Sequence, residues 1–372
     1  MTGSRPVAIR TVVLEWGRIG VTGFGGPPAH IALLRRLVVD DRSWLTPAEF
    51  EDALSACNLL PGPASTQLAI FCAHRVGGRR GALVGGLAFV VPAVVIVLAL
   101  SVLFLARSPP DWVRGAGGGA GSAVPAVAVA AAISLAGASR SAARAASSGR
   151  LYRWPAYVAV GAVASALTGP YVVLVLLACG VTELGLGGRF AADRAASYGA
   201  LAWVAIKVGM LSYGGGFVIV PLMQGDAVHT YHWMTQTHFL NAVALGQVTP
   251  GPVVATIAAV GYAASGVGGA LFASLIAFAP SFGFVLLGAD RFESLRGSGR
   301  ARAFLGGAGP AAIGAIFGAA IPLTGALHEW WQFAIGAAAA GALLAARRGV
   351  VGVLLGAGTF GAIAALAGAP LP

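Results

Sequence analysis

Charge is what this sequence has least of. Only 10% of its 372 residues are Asp, Glu, Lys or Arg, against about 25% in a soluble domain. Lysine occurs once, at Lys207, and 13 acids face 24 basic residues. With 57% of residues hydrophobic and a further 55 glycines that follow no G-X-Y period, a soluble domain and a collagen are both excluded. Strand alternation is missing as well: 82–105 and 271–288 are continuously apolar, which excludes a barrel. Apolar blocks of about 15–25 residues recur from end to end, the length a helix needs to cross a bilayer. The fold class is therefore an all-α polytopic membrane protein.

Cysteine is scarce too. Cys57, Cys72 and Cys179 stand alone in apolar surroundings, with no C-x-x-C and no His/Cys cluster at metal spacing, so no metal site is expected and the thiols read as inert and reduced. No nucleophilic triad or phosphate loop occurs, so neither a cofactor nor an enzyme is expected. The net charge of +11 sits in short Arg clusters between apolar blocks, without a basic stripe or interleaved aromatics. That is a topology signal, not a nucleic-acid surface. The start, MTGSRPVAIR, lacks an uninterrupted apolar signal region and reads as mature protein.

What is present is an internal repeat. An offset of 189 residues brings Phe24-Gly25-Gly26 onto Tyr213-Gly214-Gly215, Trp44 onto Trp233, Thr46 onto Thr235, Phe50 onto Phe239, and Pro61-Gly62-Pro63 onto Pro250-Gly251-Pro252. After one deletion Gly81-Ala82-Leu83 matches Gly269-Ala270-Leu271, and Pro92 matches Pro280. Two homologous membrane repeats are expected, 1–193 and 194–372.

Apolar blocks near 9–26, 82–105, 116–138, 154–168 and 170–186 recur near 199–221, 270–288, 304–325, 329–346 and 349–367. The remaining block of each half, 47–75 and 236–263, is broken by Pro-Gly-Pro, because proline removes a backbone donor and clashes with the preceding turn. Thr46-Pro47-Ala48-Glu49 has the form of a capping box with proline at the first helical position. The flanks of the first broken block are both basic, whereas those of the second, 224–231 and 264–269, carry no Lys or Arg. A broken helix that turns back puts both flanks on one side. Five spans plus one such re-entrant hairpin per half would invert the second repeat. That arrangement places eighteen Arg residues on the cytoplasmic side against four outside.

Loop positions account for the basic residues except Arg18 and Lys207, which coincide under the offset. Lys207 has no carboxylate within two turns, and a cation in a membrane helix marks a functional site unless it snorkels to an interface. Glu15, three residues before Arg18, offers a local ion pair as the alternative for the first cation. Half-helices starting at Ala64-Ser65-Thr66 and Val253-Val254-Ala255 would aim free N–H groups and positive dipole ends at an anion. Hydroxyls on Ser65, Thr66, Thr249 and Thr256 and amides on Asn58, Gln67 and Gln247 could complete the shell. Gly25-Gly26 and Gly214-Gly215 permit unwound backbone and close approach, or serve plain helix termination. Glu15 and Asp52 are the candidate proton carriers, with local pairing as the alternative.

Phe24-Gly25-Gly26-Pro27, Leu60-Pro61-Gly62-Pro63-Ala64-Ser65-Thr66-Gln67, Gly81-Ala82 with Phe89-Val90-Val91-Pro92, and Gly246-Gln247-Val248-Thr249-Pro250-Gly251-Pro252 resemble the chromate ion transporter family in its two-domain, long-chain form. Cys57-Asn58 departs from the pattern, since a glutamine like Gln247 is expected before the first Pro-Gly-Pro. The resemblance implies export of chromate across a bacterial inner membrane by a multi-pass protein driven by the proton-motive force. Its partners would be chromate or a sulfate-like oxyanion, protons and the lipid bilayer, with a homodimer as a candidate assembly. Sulfate or another tetrahedral oxyanion is the alternative substrate. A membrane enzyme or a binding module without turnover has less behind it.

Overall fold

The computed structural model describes residues 7–58, 60, 62–106, 108–146, 148–168, 172–184, 198–212, 219–288 and 299–371. Every regular element among them is a helix. Those of the first half are α1 (Ile9–Thr22), α2 (Pro27–Arg35, continued by a π-turn over Arg36–Asp41), α3 (Pro47–Cys57), α4 (Ala64–Phe104), α5 (Asp111–Ala146), α6 (Ser148–Thr168) and α7 (Val172–Leu184). The second half has α8 (Tyr198–Leu211), α9 (Ile219–Gln224, continued by a π-turn over Gly225–Thr230), α10 (Gln236–Val248), and α11 (Ile257–Gly288), which a 3₁₀ turn over Val253–Thr256 precedes. It ends with α12 (Gly299–Thr324), α13 (Trp330–Ala340) and α14 (Val350–Leu366). The helices within 64–104, 111–145, 253–288 and 306–324 are long and apolar enough to cross a membrane. Their outward faces carry Leu83, Val91, Val95, Leu275 and Ile321, all exposed, as side chains that meet lipid are.

The broken helix forms as the sequence predicts. Thr46 Oγ1 accepts from the Glu49 N–H at 3.2 Å while Glu49 Oε2 accepts from the Thr46 N–H at 2.9 Å, closing the capping box that starts α3. The first limb of α4 returns beside α3. Arg75 Nη2 donates to Glu49 Oε1 at 2.6 Å, so the two ends of the pair lie side by side. A second reversal follows at Gly77-Gly78, where Gly78 takes φ +63, a conformation that glycine adopts without penalty. A Cβ on Gly81 would lie 2.5 Å from the Ala73 carbonyl oxygen. Residues eight apart in one straight helix are about 12 Å apart, so α4 is two antiparallel limbs. Its partner α11 reverses at Ser265-Gly266, where Gly266 has φ +61, 188 residues further on.

One expectation is corrected. The block 9–26 is not a single span: α1 has 14 residues, about 21 Å of helix, and the chain turns back through α2. The Val7 N–H donates to the Val76 carbonyl at 3.2 Å, Trp16 stacks on Trp44 at 6.2 Å, and Arg42 pairs with Glu15. Both ends of the α1–α2 pair therefore sit beside the base of the α3–α4 hairpin. Sequence composition does not separate a re-entrant pair from a crossing helix, because both are apolar.

The halves share backbone detail at the expected offset. The π-turns over 36–41 and 225–230 end in Ser43 (φ 49) and His232 (φ 52). Thr46 and Thr235 cap the following helices through the same side-chain bond. Helix directions come from glycine contacts. On α5 Gly115 packs on Gly361 and Ala365, and Gly119 packs on Ala357 and Gly361, so α5 and α14 are antiparallel. Trp331 Nε1, at the start of α13, donates to the Pro370 carbonyl at 3.0 Å, and Gln236 Nε2, at the base of α10, donates to the Pro322 carbonyl at 2.6 Å.

Candidate functional site

The two interrupted helices bring their turns to matched surroundings in the opposite half. A Cβ on Gly62 (φ +113) would lie 2.9 Å from the Gly209 carbonyl oxygen and 3.6 Å from Ser281 Oγ. One on Gly251 (φ +103) would lie 2.6 Å from Ala93 Cβ and 3.6 Å from the Gly20 carbonyl oxygen. Gly62 and Gly251, Gly20 and Gly209, and Ala93 and Ser281 are repeat-related pairs. Each turn thus rests on the first helix and the α4-type limb of the other half. Positive φ and the missing side chain are both required here, since any Cβ would strain the backbone and strike the facing helix.

Further bonds tie the second turn down. The Gly251 N–H donates to the Gly23 carbonyl at 3.1 Å, and His30 Nε2 lies 2.9 Å from the same oxygen. A Cβ added to Gly26, which precedes α2, would lie 3.9 Å from Val253 Cγ2. The Gly25-Gly26 loop, with φ of +102 and +73, therefore closes over the start of the second half-helix. Its repeat equivalents Gly214 and Gly215, like Pro61, lie outside the described residues.

The donors at the two turns divide into committed and unmet groups. Pro63 caps the first half-helix and Pro252 precedes the 3₁₀ turn of the second. The earliest N–H groups after each, on Ala64 and Ser65 and on Val253 and Val254, have no intrahelical acceptor by the geometry of any helix start. Ser65, Thr66 and Gln67 are buried, as are Gln247, Thr249, Pro250 and Thr256. Thr249 Oγ1 donates to the Leu245 carbonyl and Thr256 Oγ1 to the Val253 carbonyl, both at 2.7 Å, so these hydroxyl protons are spent on their own helices. By contrast Thr66 Oγ1, Gln247 Nε2 and Ser281 Oγ are buried without a partner. An unmet donor in a dry site costs about 1–3 kcal/mol, and an oxyanion is the complement that would satisfy it. Asn58 is exposed and stands apart from this shell.

The charged residues are disposed differently in the two halves. Lys207, which the sequence leaves without a local carboxylate, is paired: its Nζ donates to Asp226 Oδ2 at 2.6 Å, with side chains 7% and 4% exposed. Trp203 adds a ring 5.4 Å from the ammonium. Arg18 is exposed on α1. Glu15 pairs with Arg42, not with Arg18. Asp52 is exposed on α3. At the hairpin base Glu49 is held below the usual carboxylate range, first by the Thr46 backbone N–H and then by Thr46 Oγ1 and Arg75. Sequence reasoning missed Asp226 and His30. Asp226 is the only acid between 195 and 289, as Lys207 is the only lysine, and that coincidence was the available signal. His30, near the start of α2, is fully buried.

No group of three or more His, Cys, Asp or Glu that could hold a metal occurs among the described residues. The arrangement offers a small, dry set of backbone, hydroxyl and amide donors where two half-helices start, suited to a desolvated oxyanion.

A family model for chromate transporters matches residues 10–184 and 199–362. The chain is 32% identical over 338 residues to a chromate transport protein of Cupriavidus metallidurans, covering 85% of this chain and 82% of that one. It is 29% identical over 341 residues to a chromate transport protein of Pseudomonas aeruginosa, covering 86% and 82%. These relatives are named as transporters, not enzymes. No solved structure matches. With the matched motifs spanning both halves, the chain belongs to the chromate transporter family.

Proposed function

We propose that this protein is a secondary transporter that exports chromate across a bacterial inner membrane, binding it between the two Pro-Gly-Pro turns and alternating access by rocking two inverted repeats. The observation that carries this reading is the reciprocal seating of Gly62 and Gly251. An exchange of equivalent contacts is what a two-fold arrangement produces, and it supports reading both half-helix starts as parts of one site. Thr66, Gln247 and Ser281 carry the unmet donors that this reading assigns to the anion.

Helix direction supports the inversion; span parity does not, now that 9–26 turns back. The second limb of α4 leads away from the first hairpin base, toward the end where α5 begins. The base of the second hairpin is tied through Gln236 to Pro322 at the end of α12. That end joins the α13 start, which Trp331 ties to Pro370, just beyond the α14 terminus that packs on Gly115 of α5. The two bases are thus read as opposed.

The cations have separate parts in this reading. Arg18 is the free charge that draws the anion in. Lys207, neutralised by Asp226, lends its charge only when that carboxylate is protonated or displaced. A dianion leaving a negative-inside cell moves down the potential by about 4.6 kcal/mol per 100 mV, and this is the component of the proton-motive force that favours export. Tracer flux of chromate into inside-out vesicles containing only this protein, with the potential imposed, tests direction and drive together. Sulfate is the second reading: it is also a tetrahedral dianion, and the shell counts oxygens and charge without reading the central atom.

A further inference from the structure

Outside this donor shell, one buried ionisable side chain is linked to the second turn through a shared carbonyl. His30 is 0% exposed and packs edge-on to Phe89, with ring centroids 5.1 Å apart at 88°. Its Nε2 faces the Gly23 carbonyl oxygen at 2.9 Å. A carbonyl only accepts, so Nε2 carries the proton and, in the neutral ring, Nδ1 holds a lone pair. Nδ1 is buried and has no hydrogen-bond partner. The Gly23 oxygen also accepts the Gly251 N–H at 3.1 Å, so one carbonyl links the imidazole to the second turn.

We propose that His30 is the proton-binding residue of the turn site: Nδ1 takes up a proton when a tetrahedral oxyanion occupies the turns, so that anion and proton bind and cross together. This rests on reading the turns as the oxyanion site. In the neutral ring a lone pair in a dry pocket faces no donor. Proton uptake turns that atom into an N–H donor and adds a positive charge. A buried cation is tolerated only with a counter-charge beside it.

Among the described residues, the elements around His30 supply none. On the helix of His30 and its π-turn, Arg35, Arg36, Asp40 and Asp41 are exposed. On α1, Arg10 and Arg18 are exposed and Glu15 is taken by Arg42. The α4 limb from Gly81 to Phe104, which carries Phe89, has no ionisable residue, and its basic cluster His74, Arg75, Arg79 and Arg80 lies at the far reversal. The second turn and half-helix, 249–261, have none either. The incoming dianion is then the compensating charge, so each partner tightens the binding of the other. The matched position in the second half is Ile219, so only one half carries a proton. One proton moving with each dianion lowers the net charge transported from two to one.

Sulfate is the probe, because it stays a dianion through neutral and mildly acidic pH whereas chromate itself titrates there. Calorimetric titration of the purified full-length protein in buffers of different ionisation enthalpy counts protons taken up on binding. The expected wild-type result is uptake approaching one proton per sulfate, with affinity rising by up to about tenfold per pH unit as pH falls. His30→Gln keeps an amide N–H in reach of Gly23 and cannot take the proton, so it should bind with no uptake and a flat pH profile. Wild-type binding without proton uptake overturns the inference and needs no variant. Undiminished uptake in His30→Gln overturns it equally. If the wild type binds neither sulfate nor chromate, the turn site itself falls, and the inference with it.

Discussion

Lys207 and Asp226 form a buried ion pair, 2.6 Å from Nζ to Oδ2, at positions where the first half has Arg18 and Leu37. One half thus encloses its cation with a counter-ion and the other leaves it exposed. A buried pair contributes little net stability, but removing one partner strands the other charge, at a cost of about 3–5 kcal/mol. Lys207→Met and Asp226→Leu should each lower the thermal unfolding midpoint in detergent sharply. The double variant should recover most of the loss. Equal damage in single and double variants would mean that the two charges do not compensate each other.

Gly62→Val and Gly251→Val each put a branched side chain at a positive φ and against the opposite half, within 3 Å of the Gly209 carbonyl or of Ala93 Cβ. Both should abolish flux while leaving membrane insertion and expression intact. Normal flux in both would take the turns out of the mechanism.

The unmet donors should read out in affinity. Hydrogen bonds to a charged partner contribute about 1.5–3 kcal/mol, so Thr66→Val and Gln247→Leu should each weaken apparent chromate affinity by about 10- to 100-fold. Thr249→Val, whose hydroxyl is committed to Leu245, should change it far less. Saturation curves for the three variants check this ranking.

Opposed hairpin bases predict opposed labelling. With Cys57, Cys72 and Cys179 replaced, Arg79→Cys and Arg348→Cys should react with an impermeant thiol reagent from the cytoplasmic side, and Ser265→Cys from the outside. Labelling of all three from one side would contradict the inverted arrangement.

Glu49 gives a pH signature at the hairpin base. Its carboxyl is depressed in the fold, so its stabilising share is present above the ordinary carboxylate pKa and is lost as pH falls through the folded value. Glu49→Gln should therefore lower the unfolding midpoint at neutral pH, and the gap to wild type should close in acid.

Features set by local rules were legible in the sequence. Proline and glycine fix backbone locally, so the Pro-Gly-Pro interruptions and the Thr46 capping box could be read from single residues. The repeat told where each would recur. Tertiary pairing could not be read that way: Asp226 lies 19 residues from Lys207 and reaches it only because α9 packs back on α8. The α1–α2 reversal was hidden because Phe24-Gly25-Gly26-Pro27 fits the end of a span as well as the tip of a hairpin. His30 carries no motif, and its burial depends on Gly23 and Phe89, which only the fold brings to it.

The central claim is that a tetrahedral oxyanion crosses the membrane between the two glycine turns. The most direct measurement is initial-rate uptake of labelled chromate by vesicles reconstituted with this protein alone, wild type beside Gly251→Val at matched protein density. The account predicts saturable flux in the wild type, inhibited by sulfate, and none above empty vesicles in the variant. Wild-type flux no greater than that of empty vesicles, or equal flux in the variant, would contradict it.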